Sequence, residues 1–202
     1  FSDRTIGFTT RDPDSDTRRL NWTINDSSLD RWVHLPAVRN YSLNRLDLFL
    51  DGVLVATDED TRTGGFSQPG ASGQHWIGAA GQCNTPLRPQ WHFNGNIDDV
   101  RIYNRALSRQ EVADLYEAEQ PITLETGLVA YYPFNGNAND ESGNGNNGTV
   151  SGASLVRDRG GRLNSAYSFD GTNDFIEISD SPELNFTDTM SISFWLKPDS
   201  WG

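Results

Sequence analysis

Short apolar runs recur along the whole chain, separated by stretches rich in glycine, proline, asparagine and aspartate. That punctuation leaves no stretch long enough for a large helix and sets strand length instead. The runs fall at 4–10, 19–24, 32–38, 46–50, 53–56, 75–79, 93–103, 128–134, 148–156, 166–169, 175–178 and 190–196. The sharpest local signal is Asp51-Gly52 between two β-rich runs, the dipeptide that a type I′ hairpin turn selects because it tolerates positive φ. One helix is expected over 108–118. Ser108 and Glu111 form a capping box, and Leu107, Val112, Leu115 and Tyr116 recur at helical spacing. About a dozen short strands with one helix point to an all-β fold, a two-sheet antiparallel jelly-roll sandwich with one short helix.

The chain has 202 residues, enough to bury about 70% of its unfolded surface in one large all-β domain. Aromatics at 11%, with six tryptophans among them, compensate for a modest hydrophobic content of 35%. A net charge of −12 disfavours nucleic acid and anionic membrane as partners, since both require a basic surface. Cys83 is the only cysteine, so an internal disulfide and a zinc–thiolate site are excluded, and no role is assigned to it. No initiator methionine, signal-peptide core or bilayer-length apolar run is present, which suggests a processed product or an excerpt of a longer extracellular or cell-surface protein.

Several runs resemble the laminin G-like family of concanavalin A-like jelly rolls. They are Ala130-Tyr-Tyr-Pro-Phe-Asn-Gly136, Ala166-Tyr-Ser-Phe-Asp-Gly171, Ser193-Phe-Trp-Leu-Lys-Pro198, Leu48-Phe-Leu-Asp-Gly-Val-Leu-Val55 and Gly95-Asn-Ile-Asp-Asp-Val-Arg-Ile-Tyr-Asn-Arg-Ala-Leu-Ser108. In the family the Tyr-Tyr-Pro-Phe run opens the domain and the Ile-Asp-Asp-Val-Arg run closes it; here the order is reversed. The resemblance therefore implies that residues 1–120 are the C-terminal half of a sandwich, 121–126 a linker, and 127–202 the N-terminal half. The halves are either one permuted domain or parts of neighbouring copies. A heterologous contact that does not close would propagate into a fibre, and assembly with other copies of the same repeat is the preferred expectation.

Three chemistries were weighed. Asp140, Ser142, Asn144 and Asn146 crowd oxygens into a tight loop, as calcium requires, and the resemblance places Asp98 and Asp99 near it. Adjacent strand residues face opposite sides, so only one of that aspartate pair reaches a metal unless a bulge intervenes. The plain alternative is a loop of Asx turns held by its own hydrogen bonds. Trp91, Trp76 and His92 are candidate glycan contacts; Trp91 is first among them because it is expected in a proline-flanked loop rather than a strand. Hydrolysis finds no support. Glu177 and Asp180 are three residues apart on a strand and so face opposite ways, and no Gly-x-Ser-x-Gly elbow is present. The expected function is thus an extracellular structural or adhesive repeat with calcium as its candidate stabiliser, and a non-catalytic carbohydrate-binding module of a secreted enzyme is the alternative.

Overall fold

The structure, a computed structural model, describes residues 5–11, 17–23, 31–59, 75–81, 89–117, 125–186 and 189–199. Cys83, Trp201 and residues 121–124 of the expected linker lie outside them, as does the side chain of Trp91. The elements in the first part of the chain are β1 (Thr5–Arg11), β2 (Thr17–Thr23), β3 (Val33–His34), β4 (Ala37–Asn40), β5 (Arg45–Leu50) and β6 (Val53–Glu59). They continue with β7 (His75–Ile77), β8 (Ala79–Gly81), β9 (Pro89–His92), β10 (Asn94–Tyr103) and the helix α1 (Arg109–Glu117). After these come β11 (Leu128–Tyr132), β12 (Gly148–Ser151), β13 (Ser154–Val156), β14 (Ala166–Asp170), β15 (Phe175–Ile178) and β16 (Met190–Pro198).

A nine-stranded antiparallel sheet runs β13-β14-β10-β16-β4-β5-β6, with β11 on the rest of β10 and β3 on the rest of β16. A three-stranded sheet, β12-β15-β7, packs against its inner face, and the hairpin β1-β2 covers the β5–β6 end. The main core lies between the layers: Ile97, Val100, Ile102, Tyr132 and Phe169 from the large sheet meet Ile77, Ile176 and Ile178 from the small one. Leu20 of β2 closes a second cluster with Leu46, Leu48 and Leu196. The fold is the expected jelly-roll sandwich.

Three runs read as single strands are broken, the run 32–38 at Leu35-Pro36 and two others by a glycine. Gly78 (φ +84°) separates β7 from β8, and Gly152 (φ +79°) separates β12 from β13. A Cβ would strike the Phe169 ring at the first glycine and the Asp174 carboxylate at the second, so only glycine lets the chain leave the small sheet there. Trp91 also departs from expectation, because its backbone belongs to β9. Pro89 is the first residue of that strand, the position where a missing N–H is tolerated.

The Asp51-Gly52 turn is the expected type I′, with φ of 49° and 78° and Leu50 paired with Val53. The helix also forms as read. Glu111 N–H donates to Ser108 Oγ (3.2 Å) and Ser108 N–H to Glu111 Oε2 (2.8 Å). Val112 and Leu115 bury against Val38, Phe49 and Tyr103 on the outer face of the large sheet.

Candidate functional site

The outer face of the large sheet is polar where α1 does not cover it, and strand register dictates which residues meet there. Directly paired residues share a face. Lys197, Asn96 and Ser168 form one cross-strand row, His34, Trp195 and Asp98 a second, and Ser193, Arg101 and Tyr131 a third. Phe194 and Leu196, the alternate residues of β16, point into the sandwich. Trp195 therefore packs, though on the helix side rather than in the core between the sheets.

A bulge in β10 makes the second row possible. Register shifts between Asp98 and Arg101, and Asp99 takes a φ of +52°. The extra residue puts Ile97, Val100 and Ile102 on the inner face while Asp98 and Asp99 both reach the outer side. A regular strand would have aimed Asp98 into the core beside Val100. Burial, reinforced by the negative charge of Asp99, pushes the Asp98 carboxyl up to about 8. Asp99 is held by Tyr131 Oη (3.0 Å), Arg101 (3.5 Å) and Arg159 (2.7 Å). Asp98, Asp99, Tyr131 and Arg159 line a small cleft of about 180 Å³ together with Asn135, Asp158 and Arg162.

A larger cleft of about 620 Å³ adjoins it, on the other side of the loop that carries Asp158 and Arg159. Its walls include Trp32, Asn96, Leu155, Arg157, Asn164 and Lys197. The loop is rigid by construction. Asp158 Oδ1 accepts from Gly160 N–H (2.9 Å) and Arg162 N–H (2.7 Å), and Arg157 donates to the Gly161 carbonyl (2.7 Å). Arg159 lies 4.6 Å above the Trp195 ring and binds Asp99, which fixes the shared wall between the clefts.

The residues singled out for calcium do not come together as one set. Asp98 and Asp99 line the small cleft; Asp140, Ser142, Asn144 and Asn146 do not, and only Tyr131 joins the groups, its N–H on Asp140 and its Oη on Asp99. Within the loop Asp140, Ser142 and Asn146 already have hydrogen-bond partners. Asp140 accepts from the N–H groups of Tyr131 (2.9 Å), Ser142 (2.8 Å) and Asn146 (3.0 Å) and from Ser142 Oγ (2.9 Å). Asn144 and Asn146 turn their amide nitrogens to the Val129 carbonyl, and the Asn146 oxygen accepts from Ser181. The loop as folded is held by its own hydrogen bonds, the Asx-turn alternative to a metal. Among the described residues no group of three or more His, Cys, Asp or Glu side chains is placed to hold a metal ion.

Of the candidate glycan contacts, Trp76 lies on β7 opposite Glu177, and His92 on β9 donates from Nδ1 to the Asp174 carbonyl (3.1 Å). Both are half-buried, and neither is among the described residues that line the two clefts. The residues that do line the large cleft carried a readable signal: Lys197 is the only lysine in the chain. A contact invisible in the sequence is His34 Nε2 with Ser193 Oγ, 2.6 Å apart and separated by 159 positions. It resembles a nucleophilic dyad in outline only. Both residues are fully buried, the rings of Trp195 and Tyr116 stack on His34, and His34 Nδ1 has no carboxylate partner among the described residues. Burial, followed by the charges of Arg101 and Arg159, lowers the imidazole to about 3, too weak a base to draw a proton from serine.

A laminin G family model, described as concanavalin A-like lectin/glucanases superfamily, matches residues 1–113, more than half of the chain, and the chain belongs to that family. Comparison with curated proteins and with solved structures gave no match. No helix among the described residues is long and apolar enough to cross a membrane.

Proposed function

We propose that this chain is an extracellular, non-catalytic adhesive module that binds a saccharide in the 620 Å³ cleft. The carrying observation is that cleft itself. Its volume falls in the range of small-ligand sites, and it combines an aromatic face, Trp32, with convergent polar groups from Asn96, Asn164, Arg157 and Lys197. The low basicity of the buried His34 supports a binding role over hydrolysis.

The two segments are proposed to close one permuted sandwich rather than to exchange with neighbours. Supporting this, β16 from the second segment lies between β10 and β3–β4 from the first, in the same chain. Calcium is proposed to be dispensable, because its candidate loop is held by its own amides. Glycan-array screening followed by calorimetry tests the reading. Trp32→Ala should weaken binding roughly thirtyfold while Trp76→Ala and Trp91→Ala retain it. Loss with Trp91→Ala alone would move the site to β9, and a concentration-dependent oligomer in sedimentation would restore the head-to-tail alternative.

A further inference from the structure

The cleft's charge differs in sign from that of the whole chain. Three cations, Arg157, Arg159 and Lys197, stand in its wall against one acid, Asp158, whereas the chain as a whole carries −12. The acids are already occupied. Both Asp158 oxygens face its own loop, through Gly160 N–H, Arg162 N–H and Arg162 Nε (3.3 Å). Asp99 is taken by Tyr131, Arg101 and Arg159. Two of the cations are not comparably occupied. Arg157 has its hydrogen bond to the Gly161 carbonyl, a neutral partner, and Lys197 makes no side-chain hydrogen bond or ion pair among the described residues.

Geometry puts these charges beside the aromatic. Lys197 follows Leu196, whose strand partner is Val33, and Trp32 precedes Val33, so the ammonium and the indole emerge from neighbouring positions of adjacent strands. Asn96 is the partner of Lys197 on the other side. A ligand that lays a sugar ring on Trp32 thus presents its substituents to Lys197 and Arg157. Resting on the saccharide reading above, we infer that the cleft selects an anionic saccharide, one bearing carboxylate or sulfate groups, with Lys197 and Arg157 as the specificity residues. The remaining negative charge of the chain does not cancel this selection, because charges beyond about 8–10 Å are screened at ordinary ionic strength.

The single lysine makes the test residue-specific. Among amines, acetic anhydride can modify only Lys197 and the α-amine, and peptide mass spectrometry separates these from each other and from any acylated tyrosine or Cys83. Three hexasaccharides serve as probes: oligogalacturonate, a sulfated heparin fragment and neutral maltohexaose, with inorganic sulfate as the ion alone. At least one acidic hexamer should protect Lys197 and bind about tenfold or more tighter than the neutral one, weakening as salt rises. Lys197→Met and Arg157→Met should each weaken it roughly tenfold, with Lys197→Arg retaining most of the affinity. Equal binding of neutral and acidic hexamers, unaffected by Lys197→Met, would overturn this inference and leave the saccharide reading standing. Protection by sulfate as strong as by the hexamers would overturn it in favour of a bare anion site. Failure of every hexamer and array glycan would remove the saccharide reading itself.

Discussion

Two polar loops of this molecule share one device and behave oppositely. The Asp140 loop is rich in Asn and Gly and the Asp158 loop in Gly and Arg, and each centres on a carboxylate that gathers backbone amides. Around Asp140 the aspartate, Ser142, Asn144 and Asn146 turn inward, to Val129, to Tyr131, to Ser181 or to the loop itself. Around Asp158 the acid turns inward, while Arg157, which also donates to the Gly161 carbonyl, and Arg159 stand on cleft walls. The number of oxygens in a loop is therefore a poor guide to what it binds. What decides is how many remain once its own N–H groups have taken theirs.

That contrast can be broken, beginning with the largest effect. Asp140→Ala strands three backbone N–H groups and one hydroxyl and should destabilise the fold by about 3 kcal/mol in urea titration; a loss below ~1 kcal/mol would mean the loop is not a structural knot. Trp32→Ala should leave the fold intact and remove about 2 kcal/mol of saccharide affinity by calorimetry, since the aromatic face supplies most of the contact. Asp98→Asn sharpens the comparison through pH. The folded-state carboxyl, near 8, lies above its unfolded value near 4, so the native state holds the extra proton between them. Its contribution is full below about pH 4 and lost as pH rises towards 8, and the variant should flatten that slope in denaturation across the window. The smallest effects are expected from a chelator, which should move Tm by less than ~1 °C, and from Arg157→Ala, within about 0.5 kcal/mol of wild-type stability. A calcium-dependent rise in Tm would reinstate the metal at the Asp140 loop.

The fold was readable because its signals are local. Alternation, the Asp51-Gly52 turn and the Ser108–Glu111 box each depend on a few neighbouring residues, and each forms as expected. The breaks at Gly78 and Gly152 were missed because the reason for them, contact with Phe169 and Asp174, lies far away in the chain. The site was less legible for the same reason. The bulge at Asp99, which decides where two carboxylates point, has no mark in the sequence beyond the paired acids themselves. Lys197 was conspicuous as the sole lysine, yet its meaning depends on Trp32 and Arg157, which only strand pairing brings alongside.

The position of β16 has a consequence for how the chain comes into being. Without it the large sheet is two pieces, β4-β5-β6 on one side and β10 with β11, β13 and β14 on the other. The ribosome must deliver residues 190–198 before these pieces can join, and at ordinary elongation rates that delay after β10 is on the order of ten seconds. Through that interval the edges of β4 and β10 that await β16 offer open hydrogen-bonding rows to any passing strand. The nascent chain is then most exposed to aggregation and most in need of a chaperone.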